Sequence, residues 1–472
     1  MNPSIAERKQ VELDRKFGSL EAEFAHWLAL SAAGGRFEKH HSQIRAVKAI
    51  LDQLQTKTRQ ELKTAALAGT ILKTAQPAET MILAIFRLWE YFRAKFAQRN
   101  ESRFAAYLRA ADEFAWACYQ PAQKAAQKAA QKAAQKAAQE DAAQSARREP
   151  PLVFLNGGAS PFAISRNREF EAEVVPDEEL TRAEYLAVLR ALPIPVVGVP
   201  YFQLSHLPDA LVLGHEIGHT VEDDFGLTPR LQQILQAALD KGVPPERHKA
   251  WHAWLGELFA DLYGGLATGP AFVGALIDFL ARDPQAVCGE TRSDPDWELY
   301  PTDALRVLFS LEALREDFDE ERQRMESDWR KSYDHHQLAA FEPDLKHIVP
   351  ALLDGQFPEL GNRRLREVLR FTKQQQRDAR LTVRQLREKE ALASADLRVL
   401  LAASRLAYEE DPAAYVAQDL PAALLTQIED VIKPGTRAGE TAPEDEELAA
   451  RAADYEAAGD RLFQELWPRL RF

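Results

Sequence analysis

The sequence contains only two cysteines, Cys118 and Cys288, among its 472 residues. Because they lie far apart, a disulfide framework and a cysteine-only metal site are excluded, and a reducing compartment such as the cytoplasm is favoured. No apolar run approaches the length of a membrane-spanning helix, and the charged first residues lack the apolar stretch of a signal peptide. Glycine is also scarce, with 22 residues. These absences predict a cytoplasmic protein that does not bind membranes.

Positive charge is also in the minority, since 59 Lys and Arg face 72 Asp and Glu and the net charge is -13. This balance excludes binding to nucleic acid through overall basicity. One weak exception is the run 363–389, which holds ten basic and three acidic residues. We interpret it as a solvated helix face balanced by the acidic stretch Glu440–Asp460, and nucleic acid as an unlikely partner. A hydrophobic content of 46% argues against wholesale disorder.

The spacing of apolar residues is helical over much of the chain and predicts four regions. Residues 1–119 and 311–472 are predicted to be helical. Residues 120–149 contain an Ala/Gln/Lys repeat whose four-residue period drifts by about 40° per repeat, which predicts a solvated spacer helix; a partner-binding surface is the alternative. Residues 150–310 hold the strand candidates. The predicted fold is therefore mainly α with a small β-sheet, an α+β central domain flanked by helical domains.

Two short strands are predicted at Leu152–Asn156 and Ile194–Pro200, each bounded by turn residues. Between them, Thr181 and Glu184 have the spacing of a capping box and predict the start of a helix. The second strand comes shortly before the segment that carries the most informative motif of the chain.

That motif is His215-Glu216-Ile217-Gly218-His219. Histidines four residues apart lie on one face of a helix and can hold one zinc ion, while the glutamate between them can act as a general base. On a helical wheel the histidines point away from the apolar stripe formed by Ala210, Leu213, Ile217 and Val221. This orientation favours a metal-binding cleft over two hydrogen-bonded core histidines.

Catalytic zinc needs a third protein ligand. A third histidine of the metzincin kind is excluded, because Phe225 stands at its position. Glu257 and Asp261 lie four residues apart on a second predicted helix, Glu246–Gly264, which can run back beside the histidines after the turn at 242–245. Glu257 would then reach the metal, and Asp261 would bond the free ring nitrogen of a ligand histidine. Two exposed carboxylates on a surface helix remain the alternative.

The two segments together resemble the gluzincin metallopeptidases, notably the thermolysin and neprilysin families. The resemblance implies a zincin-like domain with three zinc ligands, His215, His219 and Glu257. It also implies that Glu216 is the general base and that Asp261 hydrogen-bonds a ligand histidine. Neprilysin-like enzymes also carry a histidine that stabilises the transition state and an arginine six positions later that orients nearby groups. In this sequence Tyr300 replaces that histidine and Arg306 follows it.

The predicted function is a zinc-dependent endopeptidase that acts on peptide or protein substrates, with Zn²⁺ as its cofactor. A zinc hydrolase of another amide and a non-catalytic, zinc-stabilised helical scaffold are the alternatives. We expect Val196–Val199 to be an edge strand that aligns an extended peptide by strand addition.

Other candidates for metal ligands are weaker. His248 and His252 are also four residues apart, but no glutamate lies between them. His335 and His336 lie in a polar stretch and are interpreted as solvated, and Cys288 as a loosely packed thiol.

Overall fold

The computed structural model describes residues 3–137, 148–164, 194–289, 297–333, 336–433, 435 and 444–470. It confirms the predicted fold class, which is mainly α with a small β-sheet. The chain divides into two compact units. The first comprises the described residues within Met1–Gln98, Ile164–Pro195 and Lys433–Phe472, and the second those within Arg99–Ala163 and Val196–Ile432.

The first unit is built from four long helices. They are α1 (Ile5–Leu30), α2 (His41–Leu67), α3 (Ile71–Ala97) and, from the other end of the chain, the last helix, Glu444–Leu470. The last helix packs against α2 and α3, and α1 packs against α3. Apolar side chains recurring every three or four residues form the core, which includes Phe17, Phe24, Trp89 and Phe96.

The second unit contains the motif residues. Its elements begin with α4 (Ser102–Ala137), β1 (Leu152–Asn156), β2 (Phe162–Ile164) and β3 (Val196–Pro200). The helices that follow are α5 (Leu213–Asp224), α6 (Thr228–Gly242), α7 (His248–Thr268), α8 (Pro270–Leu280), α9 (Pro284–Cys288), α10 (Asp303–Ala313), α11 (Asp319–Ser332) and α12 (Leu345–Asp354). The remaining elements are β4 (Gln356–Phe357), β5 (Arg363–Arg364), α13 (Leu365–Val368), α14 (Lys373–Glu388), α15 (Leu397–Glu410), α16 (Pro412–Ala417) and α17 (Leu420–Val431). The last helix, in the first unit, is α18.

The main sheet has the strand order β1-β3-β2. β1 and β3 are parallel, with Leu152 opposite Val196 and Asn156 opposite Pro200. All five residues of β3 are buried. The predicted edge strand at Val196–Val199 is therefore wrong, because β3 lies between two other strands. A peptide cannot be added to its hydrogen-bonding edges.

The predicted boundary after residue 119 lies inside α4, which is one continuous helix. The side chains of Phe114, Tyr119, Ala122 and Ala125 are all buried in the core of the second unit. The first turns of the Ala/Gln/Lys repeat are therefore not a solvated spacer. Alanine is small enough to let a helix pack closely on this face, although the repeat has no broad apolar stripe. The predicted boundary after residue 310 likewise lies inside α10.

The basic run is balanced by acidic residues other than the predicted ones. Arg370 pairs with Asp317 at 2.5 Å, Arg380 with Glu321 at 2.8 Å and Arg387 with Glu410 at 2.8 Å. Arg366 pairs with Glu316 and, at 3.1 Å, with Asp354. The predicted charge balance agrees with these pairs, but the run is not one helix face, because β5, α13 and α14 divide it and Arg370 lies between α13 and α14. These carboxylates lie on α11, α12, α15 and the turn before α11, while part of the predicted stretch Glu440–Asp460 lies outside the described residues.

The predicted capping box at Thr181 and Glu184 lies outside the described residues, as does His335. Among the helices that the structure describes, none is long and apolar enough to cross a membrane.

Candidate metal centre

Helix α5 carries the two motif histidines, and its apolar stripe faces the core as predicted. The 3₁₀ helix Leu207–Val212 leads directly into it. The side chains of Leu213, Ile217 and Val221 are at most 1% exposed. The histidines lie on another face of α5, and yet His215 is only 7% exposed. His215 is buried and His219 largely so, with a side chain 12% exposed, because a second helix, α7, covers this face.

Helix α7 runs beside α5 at close range, and two glycines of α5 make this possible. A Cβ atom on Gly218 would lie 2.8 Å from the Cα of Ala260, and one on Gly214 would lie 3.1 Å from the Cα of Gly264. Any larger side chain would force the backbones apart. The glycine within the motif therefore sets the distance between the histidines and the acidic residues of α7.

This packing brings His215, His219 and Glu257 together. The Nε2 atoms of the two histidines are 3.1 Å apart. Glu257 Oε2 lies 3.3 Å from His215 Nε2, and Glu257 Oε1 lies 3.5 Å from His219 Nε2. Among the described residues, this is the one group of three or more His, Cys, Asp or Glu side chains that could hold a metal ion.

These distances fit a zinc ion. With zinc–ligand bonds of about 2.05 Å at tetrahedral angles, neighbouring ligand atoms lie about 3.3 Å apart. The donor set of two imidazoles and one carboxylate is also one that catalytic zinc sites use. Within the described part of the chain, Glu257 Oε2 is buried and has no hydrogen bond of good geometry. Such a carboxylate oxygen is costly unless a cation lies beside it. Protonated His215 is that cation without a metal, and a bound metal ion would take its place.

Asp261 and Arg306 lie behind the ligands. Asp261 Oδ1 is 2.7 Å from His215 Nδ1. The guanidinium of Arg306 donates to both carboxylate oxygens of Asp261, at 2.9 and 3.0 Å. Asp261 thus fixes the ring of His215 with Nδ1–H pointing at the carboxylate and Nε2 pointing at Glu257 and His219.

The charges of this group determine its protonation. Burial alone would raise the pKa of Asp261, but Arg306 and His215 offset it and hold the pKa below its usual range. Burial alone would lower the pKa of His215, but Asp261 and then Glu257 raise it to about 10. Without a metal the centre therefore holds a proton on His215, and a cation bound between the three ligands would replace that proton.

Glu216 is buried and interacts electrostatically with the three ligand candidates. It is only 6% exposed, and burial raises its pKa above the ordinary value, although the two histidines partly oppose the shift. A carboxylate with a raised pKa accepts a proton more readily than an exposed one.

Tyr300 also lies at the centre, on the segment before α10. Burial, followed by the negative charge of Glu257 and a hydrogen bond to it, raises the pKa of Tyr300 to about 12. The phenol therefore keeps its proton at neutral pH and can donate it in a hydrogen bond. Arg306 lies 5.6 Å from the centroid of the Tyr300 ring. The structure thus brings all seven predicted site residues into one group.

The weaker histidine candidates have other partners. His248 Nε2 bonds the carbonyl of Val243 at 2.9 Å, and His252 Nε2 bonds the side chain of Gln236 at 2.8 Å. The interpretation of His336 as solvated is wrong. Its side chain is buried, and its Nε2 lies 2.9 Å from Glu342 Oε1.

The sequence reasoning missed the packing role of Gly214 and Gly218. The signal was present, since two glycines four residues apart in a short helix predict close approach by a second helix. The chain matches no protein-family model, no curated protein and no solved structure.

Proposed function

We propose that the protein is a zinc-dependent peptidase whose centre is of the gluzincin type. The observation that carries the proposal is the spacing of 3.1 to 3.5 Å between the ligating groups of His215, His219 and Glu257, with a buried glutamate next in sequence to the first ligand. A purely structural zinc site needs ligands but no such base, and usually has four protein ligands.

The roles of the residues follow from their positions. His215, His219 and Glu257 would hold the ion, which when bound would polarise a scissile carbonyl and acidify a water molecule. Glu216 takes the proton from the attacking water on its carboxylate and passes it to the leaving amine. Tyr300 donates its hydroxyl hydrogen to the developing oxyanion. Asp261, held by Arg306, keeps His215 in its ligand orientation.

The substrate class under this proposal is a peptide or protein, and the location is the cytoplasm, because the sequence has only two cysteines. Since β3 is flanked on both sides, strand addition to it is not part of the proposal.

The test compares the wild-type protein with Glu216→Gln. Both are loaded with zinc, their metal content is measured by mass spectrometry, and cleavage of denatured casein and of a quenched fluorogenic peptide library is followed. We expect both proteins to bind one zinc ion, and the variant to lose activity by about 10²- to 10⁴-fold, the usual contribution of a general base. Glu246→Gln, an exposed glutamate just before α7, is the matched control and should cleave like the wild type.

The alternatives give different outcomes. Zinc bound by the wild type without cleavage of peptides would indicate a scaffold, or a hydrolase of another amide, which small amide substrates would then reveal. Equal activity in wild type and Glu216→Gln would contradict the role of Glu216. Full zinc occupancy in Glu257→Ala would show that Glu257 is not a zinc ligand.

A further inference from the structure

Trp297 anchors the segment that carries Tyr300. Its ring lies 5.4 Å from the ring of Trp254 on α7 and 5.8 Å from the ring of Phe341, and Trp254 and Phe341 are 5.3 Å apart. These three rings form a mutual cluster with edge-to-face and tilted contacts, which aromatic side chains favour. Trp254 lies three residues before Glu257, one turn away on the same helix.

The cluster has a fixed base. Trp251 packs edge-to-face on Trp254 at 5.4 Å, and its Nε1 donates to Asp344 at 2.9 Å. Arg247 binds both carboxylate oxygens of Asp344, at 2.6 and 2.8 Å. Because Trp251 and Trp254 are fully buried, the surface on which Trp297 rests cannot shift without breaking core packing.

The other end of the segment is also fixed. Thr302 caps α10, and its hydroxyl accepts a hydrogen bond from the backbone N–H of Leu305 at 3.3 Å. We call residues 297–302 the Tyr300 arch. Between its two ends, Leu299 is 70% and Tyr300 48% exposed. The Tyr300 side chain contacts Glu257 and Arg306, while the course of its backbone depends on the two ends of the arch.

We propose that Trp297 is a positioning residue that sets the location of the Tyr300 hydroxyl relative to Glu257. Trp297 packs on the helix that also carries Glu257, so the arch and the metal ligand share one rigid support. The proposal rests on the proposed peptidase function, because the oxyanion role of Tyr300 belongs to it. Because the ring of Trp297 packs on Trp254 and Phe341, the proposal predicts that its loss leaves metal binding intact.

The experiment uses the full zinc-loaded chain with Trp297→Ala, Trp297→Phe, Tyr300→Phe and the double variant Trp297→Ala/Tyr300→Phe. We measure kcat and KM on a fluorogenic peptide that the wild type cleaves, together with zinc content. A displacement of about 1 Å of a catalytic group can cost about 10²-fold in rate, so we expect kcat to fall on the order of 10- to 100-fold in Trp297→Ala. KM and zinc content should stay within about twofold, and Trp297→Phe should recover most of the activity because it keeps an aromatic ring in the cluster.

The double variant separates positioning from general damage. If Trp297 acts through the Tyr300 hydroxyl, the double variant is no slower than Tyr300→Phe alone, because interacting sites are not additive. Trp329→Ala is the control for loss of a tryptophan ring elsewhere in the same unit. Its ring lies tilted against that of Tyr333, with the centroids 4.2 Å apart, and the variant should lose stability but keep kcat.

Hydrogen exchange of peptides that cover residues 298–302 measures the order of the arch independently of catalysis. We expect faster exchange there in Trp297→Ala than in wild type and Trp297→Phe. Unchanged exchange, wild-type kcat, or losses that multiply in the double variant would each overturn the proposal. If the wild type cleaves no peptide, the proposed peptidase function fails, and the catalytic role of Trp297 fails with it. Faster exchange of the arch in Trp297→Ala would still show that Trp297 holds the arch in place.

Discussion

The two halves of the candidate centre are built in different ways. The ligand half lies on α5 and α7, where two helices pack closely at glycines and the ligand side chains are at most 14% exposed. The Tyr300 arch is a short non-helical segment with exposed side chains at Leu299 and Tyr300, and its backbone is fixed at its two ends. The ligand half resists displacement because moving any ligand moves a whole packed helix.

Because of this difference, we expect substitutions in the arch, but not in the ligand half, to leave metal binding intact. Changes in the ligand half should affect stability and zinc affinity together, since the same contacts serve both. Changes in the arch should affect turnover and leave zinc affinity unchanged, since the arch supplies no ligand.

The first prediction concerns Asp261. Replacing Asp261 with alanine leaves the buried guanidinium of Arg306 without its bidentate partner and His215 without its Nδ1 acceptor. Breaking a buried pair in this way costs about 3–5 kcal/mol of unfolding free energy. Removing a carboxylate behind a metal ligand also weakens metal binding, by about 10- to 100-fold. Chemical denaturation and zinc titration against a competing chelator measure the two effects.

A second buried pair in the same unit provides the control. Arg99 and Asp112 are joined at 2.8 Å, and both side chains are nearly inaccessible. Asp112→Ala should therefore lose comparable stability, while its folded fraction binds zinc as tightly as the wild type. Equal weakening of zinc binding in both variants would show that Asp261 acts only through general stability.

The second prediction concerns Gly218. A Cβ at this position would lie 2.8 Å from the Cα of Ala260 and 3.0 Å from the Cβ of Tyr263, so Gly218→Ala must push α7 away. Overpacking of this kind costs about 1–3 kcal/mol. We expect a lower midpoint of thermal unfolding and weaker zinc binding, because Glu257 moves with α7.

Gly265 on α7 is the matched control, since a Cβ there would meet nothing within 4 Å. Gly265→Ala should be neutral or stabilise by up to about 1 kcal/mol, because alanine is the better helix former. If the two alanine variants behave alike, close helix packing does not hold the ligand half together.

The ligand half could largely be predicted from the sequence, because it depends on patterns within short segments of the chain. The spacing of His215 and His219 on one helix follows from helical geometry alone, and a turn at 242–245 returns the chain as α7 (His248–Thr268). The predicted second helix, Glu246–Gly264, differs from α7 only at its ends. Both strand candidates are strands as well, although the second begins at Val196 rather than Ile194.

What could not be predicted depends on contacts between distant parts of the chain. Strand order is one case, since no local pattern places β3 between β1 and β2. The burial of Ala122 and Ala125 is another, because it depends on what packs against a repeat that has no apolar face of its own. The aromatic anchor of the arch joins Trp297 to Trp254 and Phe341, which lie more than forty residues away on either side. Such pairings are fixed only when the whole core is assembled.

We expect the smallest change in kcat from a substitution at Thr302, the second end of the arch. Thr302→Ala removes the cap of α10, which costs about 1 kcal/mol of unfolding free energy. The variant retains Trp297, so the arch stays attached to α7 and the fall in kcat should be smaller than in Trp297→Ala. Zinc affinity should not change.

Thr302→Ser, which keeps the capping hydroxyl, should match the wild type in stability and in kcat. A larger loss of kcat in Thr302→Ala than in Trp297→Ala would show that the helix cap, and not the aromatic cluster, sets the position of Tyr300.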